Sequence, residues 1–175
     1  LGILVKLLDA KTDYLLQSHP SRDIANRLWD FPYGKQECWH VLGVRTDTEL
    51  PPGIILGFAP GVTRERFAEL YRQKDTRGLE SMCNRIAVKP GDTYFVPDGM
   101  PHALGAGCFV IELQESSDLT AIPIPQNDLI EYRKRVNPKA RFSAISDDLY
   151  EKRMLDTFNY QGYTQDEIIA LTRSG

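Results

Sequence analysis

Three short stretches of this chain carry side chains able to grip a divalent cation. They are Gln17-Ser18-His19, Lys35-Gln36-Glu37 and the loop Pro97-Asp98-Gly99-Met100-Pro101-His102. In an extended strand, residues two apart point to the same face, so Gln17 projects with His19 and Lys35 with Glu37. His102 enters from a loop bounded by prolines. Two imidazoles, one carboxylate and one amide oxygen could close around a single ion and leave room for water or substrate. Glu37 supplies the negative charge that a doubly charged ion needs inside a protein. Gln17 is the weaker ligand: its amide either coordinates or orients a bound water. The third histidine, His40, alternates away from Glu37 and Trp39, which predicts a surface or interface position. The donor set suits zinc, with nickel, cobalt, iron and manganese left open.

The elements that must position these groups read as short strands punctuated by glycine and proline. Residues 1–10 are rich in leucine, isoleucine and valine and could fill an inward-curving strand. Residues 14–19 read as the next strand, ended by Pro20, which cannot donate to a ladder. A helical excursion follows over 21–28. Residues 37–45 return to strand, with Trp39, Val41 and Leu42 as core candidates, and 54–58 form an apolar strand. Thr63 is placed to cap a helix, with Val62 before it as a staple for Phe67. The same helical period continues through Leu79, Met82 and Cys83. Strands are predicted again at 93–96 and 108–114. Beyond Pro125 the pattern turns helical, over 146–158 and after Thr164, where Thr164 and Glu167 have capping-box spacing. The expected fold class is mainly β: a jelly-roll barrel over 1–125, with a helical insertion near 63–84. A helical C-terminal extension, 126–175, should pack on it as one compact unit.

Length and composition exclude several classes. The chain of 175 residues fits one domain. A net charge of −3 leaves no basic footprint for nucleic acid. No apolar run approaches the ~20 residues of a membrane span. Three cysteines, Cys38, Cys83 and Cys108, cannot all pair within one chain, and no C-x-x-C spacing occurs. Free thiols in a reducing, cytoplasmic setting are the simpler expectation. The chain opens on Leu1, without a cleavable leader pattern, and residues preceding it are expected in the full-length protein.

The three stretches also resemble a known family. Gln17-Ser18-His19-Pro20 gives Q-x-H-P, residues 34–37 give G-K-x-E, and residues 89–105 give K-P-G-D followed by P-H-A-x-G. Together with 56–63 and 84–88 they look like the metal-binding cupin core of the type I phosphomannose isomerases, over about Leu4 to Asp118. The resemblance implies a cupin barrel and a metal-dependent aldose–ketose isomerase converting mannose 6-phosphate to fructose 6-phosphate. It also leaves room for a homodimer. In such a reaction the ion polarises a carbonyl while a neighbouring group moves a proton between two carbons. Lys35, sharing a face with Glu37, is the candidate proton carrier, or else a solvated lysine at a strand end. Lys6 matches a lysine of the family's Phe-Lys-x-Leu-Asp-Ala segment and is a candidate anion holder. Asp118 matches the acidic residue of its Ser-Asp loop.

Two departures fall on the reaction side. Ile122 stands where the family carries an arginine, and Leu15 where it carries a serine. A phosphate left without its arginine loses a bidentate partner. A cation from the tail (Arg133, Lys134, Arg135 or Arg141) would restore charge, or the sugar is unphosphorylated, or the chain binds metal and sugar without turnover. The non-catalytic metal- and sugar-binding cupin is the alternative to the enzyme.

Overall fold

A computed structural model describes residues 2–136 and 145–174. In chain order, the first half holds β1 (Ile3–Asp9), α1 (Arg22–Trp29), β2 (Glu37–Val44), β3 (Gly53–Phe58), α2 (Arg64–Arg72) and α3 (Thr76–Ser81). The second half holds β4 (Cys83–Ala87), β5 (Thr93–Val96), β6 (His102–Leu104), β7 (Cys108–Glu115), α4 (Gln126–Val136), α5 (Asp147–Thr157), α6 (Gln165–Thr172) and β8 (Arg173–Ser174).

Two antiparallel sheets face each other. The larger runs β1-β7-β2-β5-β8 and the smaller β4-β3-β6. The alternation that makes β7 amphipathic buries Cys108, Val110, Glu112 and Gln114 while its other residues point out. Its register sets Gln114 opposite Glu37, Glu112 opposite Trp39 and Val110 opposite Val41. Polar side chains thus occupy one end of the inner face and apolar ones the other. The apolar end packs Trp39, Val41, Leu56, Val96, Leu104 and Val110 into one core. A second core under the helices joins Phe58, Phe67, Leu79, Tyr150, Met154 and Phe158.

Helix starts fall where the sequence predicts them. Ser21, Thr63 and Ser146 each accept a backbone hydrogen bond at the first turn, and Thr164 with Glu167 closes a capping box. The tail is built into the molecule. Ile168 is fully buried, and the Asn84 amide donates to the carbonyls of Phe58 and Tyr163. Gly57, at a positive φ of 72°, leaves the space that Ile168 fills: a Cβ there would stand 2.9 Å from the isoleucine Cδ1.

Four expectations are corrected. Residues 14–19 make single bridges rather than a strand, Gln17 to His102 and Ser18 to Ala121, so this segment crosses between neighbours instead of pairing along one. Cys83 opens β4 rather than continuing the helix, because α3 ends at Ser81 and Asn84 is pulled toward β3. Leu42 is half-exposed: β2 places Trp39 and Val41 inward, and the ladder is irregular between Val41 and Gly43. Most of β1 faces out, with Ile3, Val5 and Leu7 exposed, because only one of its faces meets the core. Among the described residues, no helix is long and apolar enough to cross a membrane.

Candidate metal centre

The backbone brings the three stretches together before any side chain does. Gln17 N–H donates to the His102 carbonyl at 3.0 Å, and His102 N–H donates back to Gln17 at 2.8 Å. Gly99 N–H donates to the His19 carbonyl at 2.7 Å, which pins the proline-bounded loop over the same segment. Glu37 opens β2 beside Gln114 and Val96. The result is a cluster of His19, Glu37 and His102 whose donor atoms all lie within 4.8 Å of one another.

Both rings are oriented from behind. His19 Nδ1 sits 3.1 Å from the Leu119 carbonyl and His102 Nδ1 2.9 Å from the Met100 carbonyl. A carbonyl only accepts, so each Nδ1 carries the proton and each Nε2 presents a lone pair forward. Those lone pairs face a carboxylate: His19 Nε2 is 3.0 Å from Glu37 Oε1, and His102 Nε2 is 3.6 Å from Oε2. Three acceptors converging without a proton between them repel unless a cation joins them. His102 Nε2 and both Glu37 oxygens are buried without a well-directed hydrogen bond. This is the environment a divalent ion satisfies, with a backbone carbonyl behind each imidazole.

Lys35 supplies positive charge beside the cluster. Its Nζ lies 2.7 Å from Glu37 Oε1 and 3.1 Å from His19 Nε2, with only 6 % of the residue exposed. Burial pushes the His102 imidazole down to about 3, helped by the nearby His19. Burial also lowers His19, against the opposing pull of the neighbouring Glu37 carboxylate. Burial alone would raise the Glu37 carboxyl, but its neighbours His19, His102 and Lys35 hold it well below the usual range. Neutral imidazoles and an ionised carboxylate are the states a metal ion requires.

The other candidate residues are placed unevenly. Gln17 is half-buried beside His102. Lys6 projects inward from β1, pairs with Glu112 at 3.1 Å and hydrogen-bonds Gln114. Asp118 is exposed and lines a separate cleft of about 360 Å³ with Trp29, Arg133 and Arg153, while the next residue, Leu119, holds His19. Ile122 is buried in the helical core, its carbonyl accepting from the Tyr150 hydroxyl at 2.9 Å. Leu15 packs against that same core. His40 is half-buried on the outer side of β2, its Nδ1 2.8 Å from the Thr93 hydroxyl oxygen. Arg133 reaches the cleft, Lys134 and Arg135 are exposed, and Arg141 lies outside the described residues.

Two inner residues escaped the sequence reading, Glu112 and Gln114. Glu112 accepts from Trp39 Nε1 at 3.2 Å and pairs with Lys6; Gln114 sits opposite Glu37. The signal was present as two polar residues at period two within an apolar strand. Deciding which face they occupied required the register.

A cupin-type jelly roll with a buried His–Glu–His cluster is a metal-site scaffold, and similarity places the chain beside the mannose-6-phosphate isomerases. It is 42 % identical over 118 residues to the probable mannose-6-phosphate isomerase GmuF of Bacillus subtilis, and 35 % identical over 118 residues to mannose-6-phosphate isomerase ManA of the same organism. Each match covers 67 % of this chain and 35 % of the relative, so the match spans about a third of those proteins' length. The crystal structure of the B. subtilis mannose 6-phosphate isomerase superposes with a TM-score of 0.66 at 25 % identity, over 91 % of this chain and 45 % of that one. A phosphomannose isomerase of Salmonella typhimurium shares the fold alone, at a TM-score of 0.64 and 13 % identity, over 96 % of this chain and 56 % of that one. No protein-family model matches the chain.

Proposed function

We propose that the chain is the metal-bearing core of an aldose–ketose isomerase that converts mannose 6-phosphate to fructose 6-phosphate, in the cytoplasm and as a homodimer. The observation that carries this reading is the convergence of two Nε2 lone pairs on the Glu37 carboxylate, with Lys35 against Glu37 and His19. His19, Glu37 and His102 would hold the ion, zinc by its donor set, and Gln17 would complete the shell. A bound dication supplies Lewis acidity at a sugar carbonyl. In this proposal residues 1–125 form the barrel and 126–175 an extension packed on it.

The chain's own groups take the remaining roles. Lys35, adjacent to the ligands and held by Glu37, carries the proton between neighbouring sugar carbons. Glu112 and Gln114 orient Lys6, which lies at the partly exposed edge of the polar row and would meet the substrate's anionic end. Asp118 lines the neighbouring cleft, and in this proposal it acts through the adjacent Leu119, whose carbonyl holds His19.

A second reading has its own support. Ile122 is buried among apolar neighbours, and the cluster residues are almost wholly buried, as suits a binding protein without turnover. One preparation separates the two: metal analysis together with exchange of the C2 proton of mannose 6-phosphate in deuterated solvent. The isomerase exchanges that proton, and Lys35→Met keeps the metal while slowing exchange by roughly 10²-fold or more. A metal-loaded wild-type protein that exchanges nothing leaves the binder as the function.

A further inference from the structure

The segment that follows α5 reaches the metal centre from outside the three stretches that carry its ligands. Asn159 N–H donates to the Gly99 carbonyl at 2.7 Å. The Gln161 N–H donates to the Asn159 side-chain oxygen at 3.1 Å, which fixes the turn presenting that amide. Further on, Tyr163 N–H donates to the Phe58 carbonyl at 2.8 Å, and Gly162 bridges Phe58, so the tail runs along the end of β3. β3 grips the other side of the same loop. Its Leu56 pairs with His102, and its Gly57 N–H donates to the Pro101 carbonyl at 2.9 Å. The loop 97–101 is thus held between a strand and the tail.

Gly99 is the residue at which these supports meet the ligands. Its N–H donates to the His19 carbonyl, and its own carbonyl accepts from Asn159. The next carbonyl along, that of Met100, is the one to which His102 Nδ1–H donates at 2.9 Å. One residue therefore joins the backbone of one imidazole ligand, the tail, and the peptide that orients the other imidazole. Gly99 is buried at a positive φ of 76°, and a Cβ there would stand 3.1 Å from the Asn159 Cβ. A larger residue is opposed twice, by the left-handed backbone and by the tail it would push away. Metal donors must be held within about 0.5 Å of their working geometry, so a displacement of that peptide is felt at both Nε2 atoms.

We propose that Gly99 and Asn159 are positioning residues of the metal centre: the tail fixes the seating of the 97–102 loop, and through it the aim of His19 and His102. The inference rests on the metal-centre part of the proposed function and is independent of the isomerisation chemistry. Coupling of this kind is reciprocal, so an ion that requires the seated loop also holds the tail against it.

The test is the zinc affinity of the folded full-length protein, by competition with a chromophoric chelator. Gly99→Ala crowds the contact, and Asn159→Pro removes the donor; Phe158, with ψ of 136°, is already in the conformation a residue before proline adopts. Each should weaken zinc binding roughly 10-fold or more, the scale for groups that support metal ligands. Asn159→Asp keeps both the N–H and the turn acceptor, and should stay within about threefold of wild type. Leu70→Ala, in the core under the helices, should lower the melting temperature yet leave zinc affinity within that same margin. In the wild type, adding zinc should slow hydrogen exchange of the Asn159 amide. Zinc bound equally by wild type, Gly99→Ala and Asn159→Pro overturns the positioning, as does an equal loss in Leu70→Ala, which would make affinity follow stability alone. If a variant misfolds, the wild-type exchange decides: an Asn159 amide indifferent to zinc overturns the coupling. A wild type that binds no zinc overturns the metal centre itself and this inference with it, whereas zinc binding without coupling sinks only the inference.

Discussion

Replacing Glu37 with glutamine keeps the shape of the cluster and removes its carboxylate charge. In the metal-free protein, Lys35 and Glu37 form a pair at 2.7 Å with side chains only 7 % and 1 % exposed. Removing one member of such a buried pair costs about 3–5 kcal/mol, because the survivor is left desolvated. His19 Nε2, 3.1 Å from Lys35, still accepts from the ammonium and retains part of its solvation, so the lower end, ~3 kcal/mol, is expected. For a chain of this size that lowers the melting temperature by roughly 10 °C. Lys35→Met alone strands the carboxylate and should also destabilise. The double variant leaves neither charge, so it should lose about 2 kcal/mol less than the sum of the single variants. The assay is denaturant unfolding of wild type, both single variants and the double variant, all freed of metal by a chelator. A Glu37→Gln protein within ~1 kcal/mol of wild type would refute the buried pair, as would additive single effects.

Three further outcomes follow from the same structure. His102→Ala should remove most of the bound metal found by elemental analysis and abolish the rise in melting temperature on adding metal, since an ion held only by the folded state stabilises it. Unchanged metal content would exclude His102 as a ligand. Ile168→Ala, far along the tail, should cost ~3 kcal/mol, as a fully buried core residue does; a loss below 1 kcal/mol would mean the tail is not built into the sheet core. Burial raises the Asp156 carboxyl, but hydrogen bonds and charges from Lys152 and Arg64 more than reverse this, so its folded value is depressed. A depressed acid stabilises above its unfolded pKa and loses that contribution as pH falls through the folded value. At a partly exposed site the effect is screened to ~0.5 kcal/mol. The stability difference between wild type and Asp156→Asn should therefore be present at neutral pH and fade in acid below the ordinary aspartate range. A difference that grew on acidification would reverse the assignment.

Much of the site was written locally. A two-residue spacing placed Lys35 on the face of Glu37, and both side chains meet His19. Threonine before a helical run predicted two helix starts, at Thr63 and Thr164, because capping is decided within one turn. The motifs around Gln17, Glu37 and His102 also foretold which segments would converge. What the sequence could not decide was everything that depends on which side of a sheet is covered. Alternation along β7 marks two faces equally well, so Glu112 and Gln114 became inner groups only once the ladder set them opposite Trp39 and Glu37. The run Ile3 to Leu8 read as core, yet its outward members are exposed, since composition reports how apolar a strand is and not how many layers lie against it. Ile122 shows the same limit: it stands at its motif position, but that its side chain is buried in the core under the helices depends on the helices packed against it. Local geometry is set by neighbours in the chain, and burial by neighbours in space.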